Sequence, residues 1–215
     1  MGVRPVAAAA LLGAALAARA APPKAGEHSP IVLAAPKDFA AAVAAVERAT
    51  GAKGVPLETA AGAVPLAEGR SFAVPARTAE RLLAGSHAAF RRAGFYLFRH
   101  ERSFGVAGEH DHLGLLVASD RNAVLRRIGT GGAHHRVATE QIVAWLDALA
   151  KEEPFELTEI GADYVAGRFE RSPKDPAGIA RRSAEIAPDL VAGRASTLEL
   201  LAEEIRVNRT LYLIW

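Results

Sequence analysis

A glycine-rich loop leads into an amphipathic helix in residues 128–146, IGTGGAHHRVATEQIVAWL. The loop, residues 129–135, ends in two adjacent histidines, His134 and His135. Beyond the loop, large apolar residues recur at the spacing that places them on one face of a helix. These residues are Ile142, Trp145, Leu146 and Leu149. The stretch therefore predicts a turn followed by a helix that packs on a core.

Short apolar segments with strand-forming residues lie on both sides of this stretch. We expect strands at 29–34, 72–74, 95–100, 113–118, 155–160, 164–170 and 211–215. We expect helices at 39–49, 77–93, after Asp120, after Thr139, after Asp175 and after Ser196. Thr139 is the expected cap of its helix, and Ser196 is expected to open a capping box with Glu199. The order contains no run of alternating strands and helices, which favours an α+β fold with a mixed β-sheet and helices packed on it.

The first twenty residues have the pattern of a signal peptide. Arg4 precedes an apolar stretch from Val6 to Ala18, and Ala18-Arg19-Ala20 places small residues where a signal peptidase cleaves. We therefore expect a periplasmic or secreted protein with no transmembrane segment in the mature chain. The alternatives are an uncleaved N-terminal anchor or a wrongly chosen start codon. After residues 1–20 we expect an N-terminal α+β segment, 21–94, that can belong to the same domain as a C-terminal α+β domain, 95–215.

Composition excludes several classes of function. The chain has no cysteine, so disulfides, iron–sulfur clusters, thiolate zinc sites and a cysteine nucleophile are excluded. Its 26 Lys and Arg and 24 Asp and Glu give a formal charge of +2. Arg4 and Arg19 are the only charges in residues 1–20, so cleavage would leave a formally neutral protein. A neutral protein lacks the overall basic field that attracts nucleic acid, and we expect no nucleic-acid partner.

Histidines suggest a possible metal site. His110 and His112 alternate at the start of a predicted strand, so both side chains can point the same way. His134 or His135 could supply a third ligand, which would leave one position on a zinc ion open for a water molecule. Zinc makes such a water acidic enough to lose its proton near neutral pH, and the resulting hydroxide can attack a substrate. The alternative is that these are surface histidines of loops, with no bound metal or other cofactor.

Backbone and carboxylate groups suggest a second kind of site. Thr130, Gly131 and Gly132 resemble part of a phosphate-binding loop, but the lysine of such loops is missing and the segment follows a helix rather than a strand. A turn that needs positive φ at glycine is the alternative. The carboxylates of Asp120, Asp163 and Asp189 could likewise bind a ligand, or could serve only as helix caps and turn residues.

A series of residues in the C-terminal part carries a family resemblance. They are Asp120, Thr130, Gly132, Ile142, Val143, Leu146, Gly161, Asp163, Phe169, Pro188-Asp189 and Leu213-Ile214-Trp215. In order and spacing they match an aspartate before a short helix, a Thr-Asn-Gly-x-Asn-Tyr loop, an Ile-Ile-x-x-Leu helix, Gly-x-Asp before a strand ending in Phe, a Cys-Pro-Asp turn and a terminal Leu-Trp-Trp-Asp. From about residue 95 onward the chain thus resembles a bacterial family called domain of unknown function 4253.

This sequence departs from the family pattern mainly at polar positions. Gly131 replaces the loop asparagine, His134 and His135 replace the Asn-Tyr pair, Ala187 replaces the cysteine, and the terminal aspartate is absent. The resemblance implies an α+β domain and offers no established activity. It therefore supports the fold more than any function.

These observations lead to one main expectation about function and two alternatives. The main expectation is an exported, non-catalytic binding module whose partner, a protein or a small ligand, contacts the surface around residues 129–135. The first alternative is a metal-dependent hydrolase that uses zinc held by His110, His112 and His134 or His135. The second is that residues 21–94 carry the function and the C-terminal domain supports them.

Overall fold

A computed structural model of the protein describes residues 29–59, 64–103, 109–192 and 197–215. The predicted signal peptide at residues 1–20 and the predicted capping residue Ser196 lie outside these residues.

One seven-stranded mixed sheet organises the described residues, which confirms the predicted α+β fold. The strands are β1 (Val55–Glu58), β2 (Pro65–Val74), β3 (Phe95–Glu101), β4 (Asp111–Val117), β5 (Phe155–Ile160), β6 (Tyr164–Phe169) and β7 (Thr210–Ile214). Their order across the sheet is β1-β2-β4-β3-β5-β6-β7. Only β3 and β5 are parallel neighbours, with Arg99 opposite Glu159.

The described residues form six α-helices. They are α1 (Phe39–Thr50), α2 (Ala76–Arg92), α3 (Arg121–Ile128), α4 (Thr139–Glu152), α5 (Pro176–Ile186) and α6 (Leu198–Asn208). Two short 3₁₀ turns, Ala133–His135 and Pro188–Leu190, lie in the connections after α3 and α5. None of these helices is long and apolar enough to cross a membrane.

Helices cover both faces of the sheet, so two separate apolar cores form. Apolar residues of α1 and α2 pack with Phe72, Leu113 and Leu115 in one core. Residues of α3, α4, α5 and α6 pack with β5, β6 and β7 in the other, which also contains Leu116 of β4. Side chains alternate between faces along a strand, and β4 is buried on both, which explains its nearly continuous apolar sequence.

The two predicted segments on either side of residue 95 share this sheet. Strand β2, from the N-terminal segment, pairs antiparallel with β4 along the register Gly69↔Leu116 to Val74↔Asp111. Strand β4 pairs in turn with β3. The sheet is therefore continuous across the position where the two segments were expected to meet.

The predicted strand at residues 29–34 is wrong. This segment lies against helix α2, where the Ile31 N–H donates to the Arg81 carbonyl and the Leu33 N–H to Ser86 Oγ. A Cβ atom on Gly85 would lie 2.3 Å from the Ile31 carbonyl oxygen. The apolar run that predicted a strand thus pairs its backbone with a helix surface, because a glycine allows the two backbones to approach closely.

Two of the predicted helix caps are also wrong. Ala138 is the cap residue of α4, and Thr139 Oγ1 instead donates to the Thr130 carbonyl at 2.7 Å. Thr197 caps α6 through its side chain, which accepts from the Leu200 N–H, so the helix begins one residue later than the capping box at 196 predicts. A short hydroxyl side chain can bond several nearby backbone groups, and the tertiary contacts decide which.

Candidate functional site

The predicted site loop, residues 129–135, is fixed to the turn between β5 and β6. Thr130 is fully buried, and its hydroxyl donates to the Gly161 carbonyl at 2.7 Å. The Gly131 N–H donates to the Ala162 carbonyl at 2.9 Å, and Gly132 pairs with Val137 in an isolated β-bridge. These bonds use the backbone groups that would have to be free to bind a phosphate. The loop is a packed connection between α3 and α4.

The glycines of the loop allow this close packing within the protein. Gly129 has φ +79° and ends α3 in the left-handed conformation, as the turn alternative predicted. Gly132 is buried, and a Cβ atom there would lie 2.6 Å from the side chain of Trp215. Trp215 is itself held, because its indole N–H donates to the Ile186 carbonyl at 2.5 Å. The space beside Gly132 is therefore occupied by the protein's own C-terminal residue.

Four of the predicted polar residues lie near one another on the outside of this loop. His135 Nε2 lies 2.8 Å from Asp189 Oδ1, within hydrogen-bond distance, and both side chains are partly exposed. Asp163, in the β5–β6 turn, is close enough for the charges of Asp189 and His134 to affect its pKa. We refer to His134, His135, Asp163 and Asp189 as the His–Asp surface. Three separate segments of the chain contribute to it.

Asp163 of this surface has a raised pKa. Partial removal of its carboxylate from water raises its pKa, and the nearby Asp189 carboxylate raises it further, while His134 opposes the shift. A nearby positive charge stabilises the ionised carboxylate and lowers its pKa, whereas a nearby negative charge destabilises it and raises its pKa.

Asp120 lies apart from the His–Asp surface, at the opposite end of helix α3. Its side chain accepts the Ala123 N–H at 2.9 Å and caps the helix. The capping alternative for Asp120 is therefore confirmed, and Asp120 does not form one carboxylate cluster with Asp163 and Asp189.

The structure does not bring together the four histidines of the metal alternative. His112 lies in β4, whereas the loop carrying His134 and His135 lies against the β5–β6 turn, two to three strand positions away in the sheet. Neighbouring strands are about 4.8 Å apart, which separates the two positions by roughly 10–14 Å. Among the described residues, His110 included, no group of three His, Asp or Glu side chains has the geometry to hold a metal ion.

His112 instead neighbours His100, a residue outside the predicted ligand set. The two rings lie 5.8 Å apart, and His100 Nε2 is 2.8 Å from Ser71 Oγ. Burial, together with the neighbouring His112, lowers the pKa of His100 to about 4. The imidazole of His100 is therefore neutral near pH 7 and acts as a buried polar partner of Ser71.

A buried charge network that the sequence analysis missed joins three strands. Arg99 Nε lies 3.0 Å from Asp111 Oδ2, and Arg99 Nη1 lies 3.2 Å from Glu159 Oε1. Arg102 also contacts Glu159, and Ser103 donates to Asp111. Charges this deeply buried persist only when they are paired, as they are here. Charged residues inside otherwise apolar strands were the signal in the sequence, and we interpret the network as structural.

A cavity of about 260 Å³ lies at the Asp120 end of α3, also missed by the sequence analysis. Its wall includes Arg121 and Asn122 from α3, Asp147 from α4, and Phe155 from β5. The Arg121 guanidinium lies over the Phe155 ring at 4.8 Å and contacts Asp147 at 2.8 Å. These residues are far apart in sequence and follow no motif, so only the packing of α3 and α4 on β5 reveals the site.

The comparisons with known proteins agree with the resemblance seen in the sequence. No curated protein and no solved structure matches the chain. Residues 112–215 match the family described as Domain of unknown function (DUF4253). The match begins in β4 and runs to Trp215, so it includes the loop 129–135, the His–Asp surface and most of the cavity wall. The C-terminal half of this chain is a DUF4253 domain.

Proposed function

We propose that the protein is an exported, non-catalytic binding module and that its protein partner contacts the His–Asp surface. The observation that carries the proposal is that the histidines of this surface are exposed on a loop that is anchored from beneath. His134 and His135 are exposed, while the loop beneath them is anchored by the buried hydroxyl of Thr130 and by Trp215. A rigid support with exposed polar groups lowers the entropic cost of association.

The exposed groups favour a protein as the occupant. Small molecules are usually bound in concave sites, and the cavity of this domain lies at the other end of α3. The His–Asp surface instead presents two imidazoles, two carboxylates and the exposed Arg136 from separate segments. Mixed charge of this kind suits the polar rim of a protein interface.

No group of three metal ligands is present among the described residues to support hydrolysis at this surface.

The interaction can be tested by site-specific photo-crosslinking in the native bacterium. A photoreactive amino acid at Ala133, beside His134, should yield a defined protein adduct, which the His134→Ala/His135→Ala double variant should lose. The matched control places the same group at Val207, an exposed position of α6. The proposal would be contradicted by identical adducts from both positions, or by an adduct that still forms in the double variant.

The export part of the proposal has its own test. Expressed with residues 1–20 in a Gram-negative host, the protein should be recovered from the periplasm or medium with Ala21 as its first residue. Intact-mass measurement of the purified protein reads this directly. A cytoplasmic protein that retains residues 1–20 would contradict export and leave the interaction test unaffected.

A further inference from the structure

We propose that the free edge of strand β7 pairs antiparallel with β7 of a second copy of this chain, so that two sheets join into one. The seven-stranded sheet ends in β1 on one side and in β7 on the other. The N–H and C=O groups on the outer side of an edge strand can bond a further strand. The inference does not depend on the contact proposed for the His–Asp surface.

The pairing of β7 with β6 determines which of its backbone groups point outward. The Trp215 N–H donates to the Asp163 carbonyl at 2.9 Å, and the Phe169 N–H donates to the Arg209 carbonyl at 2.8 Å. Both bonds lie on the unbroken antiparallel register of the two strands. Residues that bond the neighbouring strand alternate along such a register with residues whose backbone groups face away from it. The residues of β7 whose N–H and C=O groups face away from β6 are therefore Thr210, Tyr212 and Ile214.

These outward groups have no partner within the part of the chain that the structure describes. No described strand lies beyond β7, and the backbone bonds that join its loops, helices and strands include none with Thr210, Tyr212 or Ile214. Backbone donors and acceptors that lack a protein partner must bond water or another chain. The edge of β7 thus presents a row of donors and acceptors to a further strand.

The two edges of the sheet differ in the features that prevent pairing. Strand β1 has only four residues, among them Pro56, which has no N–H, and the exposed Glu58. Proline and charged side chains are common means of keeping an edge strand unpaired. Strand β7, Thr-Leu-Tyr-Leu-Ile, contains neither proline nor a charged residue. Of the two edges, β7 is therefore the one whose sequence is suited to pairing.

A second copy of the chain fits this edge because β7 is complementary to itself. With a two-fold axis at Tyr212, Thr210 of one copy lies opposite Ile214 of the other, and every outward N–H meets an outward C=O. Opposite side chains share a face of the sheet, so Leu211 lies beside Leu213 of the second copy, and the two copies of Tyr212 lie together. No like charges face each other across the paired strands. Two-fold pairing of identical surfaces is also the commonest symmetry of homodimers.

Sedimentation velocity of the purified protein tests this inference. Because the contact consists mainly of backbone bonds over the five residues of β7, we expect a moderate affinity, with a change from monomer to dimer between about 1 and 200 µM. Tyr212→Pro removes an outward N–H without removing a bond to β6, and it should weaken the dimer at least about tenfold. Tyr212→Phe keeps that N–H and is the control, which should associate as the wild type does. Circular dichroism verifies that both variants fold.

A cysteine crosslink tests the register, and it decides the matter if the proline variant does not fold. The chain has no cysteine, so a single substitution gives one defined thiol. Residues that share hydrogen bonds across antiparallel strands have Cα atoms about 5.5 Å apart, which is within the range of a disulfide. Mild oxidation of Tyr212→Cys should therefore join two chains. Thr210→Cys is the matched control, because the two copies of residue 210 would be roughly 14 Å apart.

Three results would overturn the inference. The first is a wild-type protein that stays monomeric up to about 200 µM, which would leave an extended segment of another protein as the candidate for this edge. The second is a dimer that persists in the folded Tyr212→Pro variant, because its contact would lie elsewhere on the molecule. The third is equal crosslinking of Tyr212→Cys and Thr210→Cys, which indicates random collision.

Discussion

The two ends of helix α3 differ in whether the polar groups there are hydrogen-bonded. At the C-terminal end, the loop hydroxyl and amides are bonded to the β5–β6 turn, and Trp215 fills the space beside Gly132. At the N-terminal end, Arg121 Nε and Asn122 Oδ1 are buried without a hydrogen-bond partner among the described residues, next to a cavity. The end with the conspicuous motif is closed by the protein itself. The end without a motif has unpaired buried polar atoms and open space.

The largest expected effect concerns packing at the closed end. Gly132→Ala should lower the free energy of unfolding by about 2–3 kcal/mol, because the new Cβ would overlap the Trp215 side chain. Gly132 has φ −104°, so the cost is steric and not a matter of backbone strain. Urea denaturation measures it. Gly131→Ala is the control, since its Cβ would lie 3.2 Å from the Val137 carbonyl oxygen and 3.9 Å from that of Gly129, without the overlap expected at Gly132. Equal stability of the two variants would show that the loop has room beside Gly132.

A smaller effect is expected from the buried hydroxyl of the same loop. Thr130→Val keeps the shape of the side chain but leaves the Gly161 carbonyl without its donor, which should cost about 1–2 kcal/mol. Thr130→Ser retains the hydroxyl and serves as the control. If Val and Ser substitutions destabilise equally, the bond to Gly161 does not contribute to fixing the loop.

At the open end, removing a polar side chain should have little effect on stability. Asn122→Ala should change the free energy of unfolding by less than about 0.5 kcal/mol, because the lost bonds to Asp147 are offset by removal of an unpaired buried oxygen. The comparison with Thr130→Val under the same conditions is the informative one. A cost as large as that of Thr130→Val would mean that the two ends are equally optimised for stability.

The smallest effect concerns the pH dependence of the His–Asp surface. The pKa of Asp163 is raised above its ordinary value of 3.8, so the folded state binds a proton more tightly than the unfolded state. The associated stability is present below that value and is lost as the pH rises through the folded-state pKa. Asp163→Asn should therefore gain stability relative to wild type between about pH 3 and 7, by less than about 1 kcal/mol because the group is exposed. Denaturation midpoints across this range test the sign. A relative loss at pH 7 would contradict it.

Much of the fold could be predicted because the signals were local. The apolar face of α4, the aspartate caps of α3 and α5, and the apolar strands β4 and β7 all depend on residues close together in sequence. The family resemblance rests largely on the same features. Ile142, Leu146 and Phe169 are buried in the core, and Gly161 accepts the hydrogen bond of Thr130.

The predicted site depends on contacts that local patterns do not specify. Histidines and aspartates at the ends of elements can be named from the sequence, but which of them lie together depends on the order of strands in the sheet. Strand order separates His112 from His134 and brings Asp163 and Asp189 beside the loop. Residues 29–34 show the same limit, because an apolar run does not specify whether it pairs with a strand or a helix.

The sequence by itself determined the fold class, most elements and the absence of cysteine chemistry, because periodicity, capping and composition act over short distances. Only the tertiary structure decided that the glycine-rich loop is filled by Trp215, that the predicted metal ligands lie apart, and that a polar cavity opens beside Arg121. The physical reason is that free space and unpaired hydrogen-bonding groups are properties of packed surfaces. They depend on contacts between residues tens of positions apart, which no local pattern encodes.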